Sequence, residues 1–442
     1  MSEETKQQEV RFDEKPLIPT YFKLSLPLVF SSIISVIYNL VDTYFIAQTG
    51  NALLVAGVSL CSPIFMILMA FGNIFAQGGS SLISRLLGQK RADDVKRVSA
   101  YCFWISIVVG AVIGGLLLLI RDPFLFLLGA SQDTLPYARE YGVVLMIGSP
   151  FIVLTFVHTN LTRCAGRSTE AMTGTILGAV INVILDPILI PSMGAMGAAI
   201  ASVIGYIFTD VFMLIVVLRK CPSFSVKPQF TIQGSFFKEI VLIGITAAIT
   251  NIASSLCIIL VNQKLLVFGD DKIAAMGIVF KITMIVNMIL VGFSFGGIPL
   301  FGFLAGAGER EKVRKLIRFC LLFTCSIALV MSAIVFVLAR PLIGLITPDE
   351  ALIKIGIPML HWQVFGMVFA GVVMLMTCLC QATGKALPAL VLSLSRQGVV
   401  FVVVLLITAA IFGYTGILIA QPLADVISAV MGLCILARLN SV

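Results

Sequence analysis

The sequence predicts an all-α polytopic membrane protein: twelve transmembrane helices in two six-helix lobes, related by a pseudo-two-fold axis along the membrane normal. Composition, segment length and an internal repeat carry that expectation. Of 442 residues, 59% are hydrophobic and 12% charged, about half the charged share of a soluble chain. The apolar residues fall in runs of about 20 or more, enough to cross roughly 30 Å of hydrocarbon as helix. The short alternating segments of a membrane β-barrel are absent from the sequence.

Hydropathy and loop chemistry place spans near 23–48, 54–82, 98–120, 138–162, 169–191 and 195–218. The second half gives 239–267, 273–304, 316–338, 353–380, 386–411 and 416–437. The polar, mixed-charge start lacks a cleavable leader pattern, so the first helix is expected to remain as a span. The resulting domains are an N-terminal tail (1–22), an N-terminal lobe (23–225) and a C-terminal lobe (226–442).

The net charge of +8 is an orientation signal. With the N-terminus inside, twenty-two of the 30 Lys and Arg fall on the inner side. They cluster in the tail, in the 2–3 loop (Arg85 to Arg97), in the 6–7 linker (Arg219 to Lys238) and in the 8–9 loop (Arg310 to Arg318). Five fall outside: Arg121, Arg139, Lys272, Arg340 and Lys354. The positive-inside rule then makes both termini cytoplasmic, and no nucleic-acid partner is implied. The ten cysteines lie mostly in apolar segments without a CxxC pair, so packing is their expected role and no metal site is expected.

A shift of 218–220 residues superposes the halves. Gly88 to Arg97 falls on Gly306 to Lys315, Arg121-Asp-Pro123 on Ala339-Arg-Pro341, Arg163 to Arg167 on Gln381 to Lys385, and Gly197 on Gly416. Six helices per half keep both halves in one orientation, the pattern of parallel-repeat transporters whose lobes rock around a central site.

Ionisable residues inside spans are functional candidates because lipid does not solvate them. Asp42 and Asp186 fall at similar height, roughly 25–29 Å from the inner side at 1.5 Å per residue. Asn182 is one turn before Asp186, Asn39 three residues before Asp42, and Ser202 comes down on helix 6. Together they are expected to form one polar pocket in the first lobe. The repeat places Asn262 opposite Asp42 and Val404 opposite Asp186; acids present in one half only point to function rather than architecture. Such a pair suits uptake of a proton or binding of Na⁺ by carboxylate and amide oxygens, and the sequence leaves both open. Pro27 and Pro187 interrupt helical hydrogen bonding and offer a bend. In the second lobe Lys281, Arg396 and Asp425 reach a common depth of roughly 14–15 Å and are expected to form an ionic cluster, structural or gating. The 17 Met and 31 Phe are compatible with an adaptable apolar cavity.

The combination of Ser25-Leu-Pro27, Tyr38-Asn-Leu-Val-Asp42 with Thr43 to Ile46, Ser84 to Lys90, Asn182-Val-Ile-Leu-Asp-Pro187, Gly197 to Ser202 and Gln381-Ala-Thr-Gly384 resembles the multidrug and toxic compound extrusion (MATE) family. The likeness runs from about residue 16 to 437 and points to its bacterial branch of the DinF and MepA type. It implies a V-shaped antiporter of the bacterial inner membrane, not an enzyme and without a cofactor, exporting small cationic or amphipathic organic compounds against H⁺ or Na⁺ as a monomer. In multidrug transport of this kind antibiotic resistance is a common consequence. The family's coupling residues correspond to Asp42, Asp186, Asn182 and Ser202; substrate contacts are expected at Tyr38, Asn39 and Tyr141. Thr246 stands where a proline is usual, and the C-lobe carboxylates of another branch have no match. The rival readings are a flippase for a lipid-linked precursor, disfavoured by twelve spans and an acidic pocket, and an intramembrane aspartyl enzyme, disfavoured by the missing GxGD-type motif. A channel lacks its filter-like loop.

Overall fold

The computed structural model describes Phe12 and residues 16–440, with side chains to residue 437. Most of the expected tail, including Lys6, Arg11 and Lys15, lies outside the described residues, and so does the side chain of Arg438. The first helix starts at Leu17, six residues before the span expected from hydropathy.

Fifteen helices make up the described chain: α1 (Leu17–Ala47), α2 (Ala52–Leu60), α3 (Ser62–Gly88), α4 (Ala92–Leu119), α5 (Arg121–Leu127), α6 (Leu135–Cys164), α7 (Ser168–Lys220) and α8 (Gly234–Leu266), then α9 (Asp270–Phe295), α10 (Ile298–Gly306), α11 (Arg310–Val337), α12 (Ala339–Gly344), α13 (Glu350–Ala382), α14 (Ala386–Arg396) and α15 (Val399–Asn440). Ten continuous stretches are long and apolar enough to cross a membrane, counting α2 with α3, α9 with α10, and α14 with α15.

Two of the ten do double duty. A straight helix of 53 residues would measure about 80 Å, more than twice a bilayer core. The chain instead breaks at Gly194 (φ 57°, ψ −130°) and at Gly413 (φ 55°, ψ −127°), a backbone region that only glycine enters without strain. Each break divides its stretch into two crossings, restoring twelve. The two glycines are 219 residues apart and share one conformation, so the repeat read from the sequence extends to its hinges. The short helices α5 and α12 occupy equivalent places between crossings three and four of each half.

The two six-crossing halves meet on one side only, the side carrying the chain termini. There α3 runs against α8 and α1 against α9. Gly88 and Gly306 are used reciprocally: a methyl on the first would collide with the Phe303 carbonyl, and one on the second with the Arg85 carbonyl. Tyr21 donates to the Phe293 carbonyl at 2.7 Å within a cluster of rings from Phe22, Phe293, Phe319 and Phe323, edge-on except for the stacked Phe319 and Phe323. Arg85 pairs with Glu239, and Ser81 donates to the Gln381 carbonyl. On the far side the buried clusters belong to single lobes. One holds residues from Cys61 to Val153, another only residues from Cys257 to Ala424; clusters mixing both lobes occur near the termini. The two halves therefore form a V, closed at the terminal side.

Candidate functional site

Three helices bring the candidate residues together. Asp42 lies five residues from the far end of α1, with Tyr38 one turn below it. Asp186 sits eight residues before the Gly194 break and Ser202 eight after it. The two arms of α7 thus carry these side chains to the same depth, about 12 Å below the hinge. Asn182 spans the arms: its amide lies 3.3 Å from the Ser202 hydroxyl and 3.5 Å from Asp186 Oδ1. Asp186 is fully buried, and Asn182 and Ser202 nearly so. Tyr141 from α6 closes the group, within electrostatic reach of Asp42, Tyr38 and Asp186, and Asp42 and Asp186 are within reach of each other.

The charge balance of this pocket is unusual. Asp42 Oδ1, Asn182 Oδ1 and Asp186 Oδ2 are buried oxygens without a hydrogen-bond partner. Among the described residues no Lys or Arg pairs with Asp42 or Asp186. Asp186 is buried and Asp42 half-buried with one buried oxygen; carboxylates so placed without a protein cation are costly to keep charged, and the arrangement can take up positive charge. Its donors are all oxygens, a set that accepts a proton or a hard monovalent cation. Among the described residues no cluster of three or more His, Cys, Asp or Glu could hold a metal ion.

Two sequence expectations come apart here. Asn39 shares a helix with Asp42, but its side chain is exposed and donates back to the Ser35 carbonyl at 2.6 Å. Three residues turn a helix by about 300°, leaving a 60° offset, enough to carry Asn39 out of the pocket. Lys281 does not join Arg396 and Asp425: it is exposed on α9, while Arg396 Nε meets Asp425 Oδ1 at 3.0 Å. Equal depth did not mean equal azimuth. Gln421 donates to the same Asp425 oxygen at 3.0 Å, and Asn287 lies 3.5 Å from the Arg396 guanidinium, so this acid has both a protein cation and an amide donor. Pro27 sits buried within an unbroken α1, its carbonyl accepting from Ser31 at 2.8 Å.

Sequence reasoning missed Tyr206, which neighbours Tyr38, Tyr141 and Asp42. It also missed Asp210, buried beside His158. The signal was present: Ser202, Tyr206 and Asp210 recur every four residues along one helix face.

Twelve crossings in two repeats, a V-shaped division and an acidic pocket inside one lobe define a membrane transporter rather than an enzyme. The chain belongs to the MatE family, whose profile matches residues 27–188 and again 243–407, once in each half. It is 30% identical over 434 residues to "Multidrug export protein MepA" of Staphylococcus haemolyticus, covering 97% of this chain and 95% of that one. The protein of the same name from Staphylococcus aureus is 28% identical over 438 residues, with the same coverage. Among solved structures, an outward-facing multidrug resistance MATE transporter superposes with a TM-score of 0.91 at 22% identity, covering 98% of both chains. A transporter of the same MOP superfamily from Pyrococcus furiosus, described as having a binding pocket of reverse polarity, gives 0.90 at 23%, also covering 98% of both.

Proposed function

We propose that this protein exports small amphipathic or cationic organic compounds across the bacterial cell membrane, driven by H⁺ or Na⁺ entering at Asp42 and Asp186. The observation that carries the reading is a buried carboxylate, Asp186, within electrostatic reach of the half-buried Asp42, each with one buried unpartnered oxygen and neither with a protein cation. Such a pair leaves room for a positive partner that comes and goes. Asn182 and Ser202 orient Asp186, and Tyr38, Tyr141 and Tyr206 wall the pocket. Occupying it changes the electrostatics between α1 and the two arms of α7, and Pro27 gives α1 a place to bend in response.

The reading places both termini in the cytoplasm, following the basic inner loops. The V then opens outward, the state from which substrate leaves and the coupling ion enters. The similarity to proteins called multidrug exporters supports a broad range of organic substrates, and the chain is read as acting as a monomer.

The test is substrate movement in proteoliposomes under an imposed proton or Na⁺ gradient, with wild type, Asp42→Asn and Asp186→Asn. Gradient-driven transport should collapse in both variants while substrate binding persists. Wild-type pumping by both would remove the coupling role from these acids. A wild type that moves no organic cation would instead favour a lipid-linked precursor as cargo.

A further inference from the structure

A second pair of ionisable side chains lies in the same lobe, closer to the termini. His158 on α6 and Asp210 on the second arm of α7 face each other with Nδ1 3.6 Å from Oδ1, and both are almost wholly buried. Both ring nitrogens and both carboxylate oxygens lack a hydrogen-bond partner. A pair serving only as a clamp between helices would be expected to satisfy its outer atoms with neighbouring donors and acceptors. Arg396 and Asp425 do this in the other lobe. Here the surroundings are instead quiet: Phe103 of α4 covers the imidazole, ring centroids 5.0 Å apart. Thr155 of α6 also approaches Asp210. Among the described residues no charged group other than His158 acts on Asp210. Arg163 lies five residues on, on a different face of α6, and the thiols of Cys102 and Cys164 stay against each other nearer the termini.

The position of the pair is as telling as its chemistry. Asp210 is one turn, about 6 Å of rise, from Tyr206, and Tyr206 belongs to the Asp42 pocket. Asp210 is also ten residues, roughly 15 Å, from the terminal end of α7. The face carrying Ser202, Tyr206, Thr209 and Asp210 thus runs from the pocket towards the side closed by the lobe contact.

We propose that His158 and Asp210 form a second proton-binding site, through which the proton taken up at Asp42 and Asp186 is passed to the side of the membrane that carries the termini. The step balances simply. The pair with neutral imidazole and ionised carboxylate carries one negative charge. It accepts one proton from the pocket by way of Tyr206 and water, becoming net neutral, and the pocket returns to its carboxylate state. Release of that proton on the terminal side restores the pair. The inference rests on the proton branch of the function proposed above.

The experiment uses full-length protein in liposomes and two assays on one preparation: substrate uptake driven by a pH gradient, and substrate–substrate exchange at equal pH, which needs no net proton movement. Asp210→Asn and His158→Gln should lower the gradient-driven rate about 10²-fold and leave exchange at the wild-type rate. Asp210→Glu, which restores a titratable group, should recover gradient-driven transport. A structural clamp would lose both assays together, and variants driven by the gradient as well as wild type would equally overturn the relay. If wild type itself responds only to a Na⁺ gradient, the relay is refuted while Asp42 and Asp186 keep a coupling role. The failure of the two readings is therefore distinguishable.

Discussion

The two lobes share a repeat, a hinge and a membrane orientation, yet they treat their buried acids in opposite ways. In the N-terminal lobe Asp42 and Asp186 lie within electrostatic reach of each other, each with one unpartnered oxygen. In the C-terminal lobe Asp425 is held by Arg396 at 3.0 Å and by Gln421 at 3.0 Å. The shift of 219 residues that puts Gly194 on Gly413 also puts Tyr206 on Asp425 and Ser202 on Gln421. Equivalent positions on the same scaffold thus carry an open pocket in one half and a closed ion pair in the other. An acid with a permanent protein cation already has its counter-charge, whereas one without it must borrow it. On the function proposed above, the difference assigns exchangeable charge to the first lobe and a fixed ion pair to the second.

That contrast can be broken by substitution. The largest effect is expected from Arg396→Ala, which strands Asp425 in the protein interior and should cost about 3–5 kcal/mol, read as loss of thermal stability in detergent. Replacing the pair together, Arg396→Met with Asp425→Leu, should restore stability and leave transport in place, because an apolar pair of similar volume needs no compensation. Asp186→Asn should do the reverse, preserving thermal stability while reducing gradient-driven transport about 10²-fold. The hinges sharpen the comparison. Gly194→Ala and Gly413→Ala each put a side chain where φ is positive, with open or ordinary van der Waals space around it. Each should cost a similar amount, about 1–3 kcal/mol, from backbone strain alone; unequal losses in thermal unfolding would show that the hinges are not equivalent. The smallest effect belongs to Ser202→Ala, which removes the contact at 3.3 Å from Asn182. It should shift the coupling-ion dependence of transport by about 1 kcal/mol, a few-fold change in half-saturating ion concentration.

Much of this architecture was legible in the sequence because lipid imposes strong rules. Length and hydropathy gave the crossings, since an apolar run either spans the core or does not. The repeat anticipated Gly197 over Gly416, and the structure adds the hinges just before them. The breaks at Cys61, within the second crossing, and at Gly296 and Gly297, within the eighth, left no hydropathy signal, because a short interruption buried among apolar residues leaves the mean unchanged. Within the site, depth was readable from residue counting and azimuth was not. Asp42, Asp186, Asn182 and Ser202 converge, while Asn39 and Lys281 have the right depth but face elsewhere. Tyr206 escaped notice because a tyrosine in a span is unremarkable until a neighbouring helix brings it against an acid. Asp210 was readable as a charged residue inside a span; only its partner, His158 on another helix, required the fold.

The most direct measurement of the lobe asymmetry is the flux of the coupling ion itself. H⁺ and Na⁺ movements would be recorded alongside substrate in the same liposomes, for Asp42→Asn with Asp186→Asn and for Arg396→Met with Asp425→Leu. Loss of coupled ion flux in the first variant and its retention in the second is the predicted result. Ion flux that survives in the first and vanishes in the second would place the exchangeable charge in the other lobe and contradict the account.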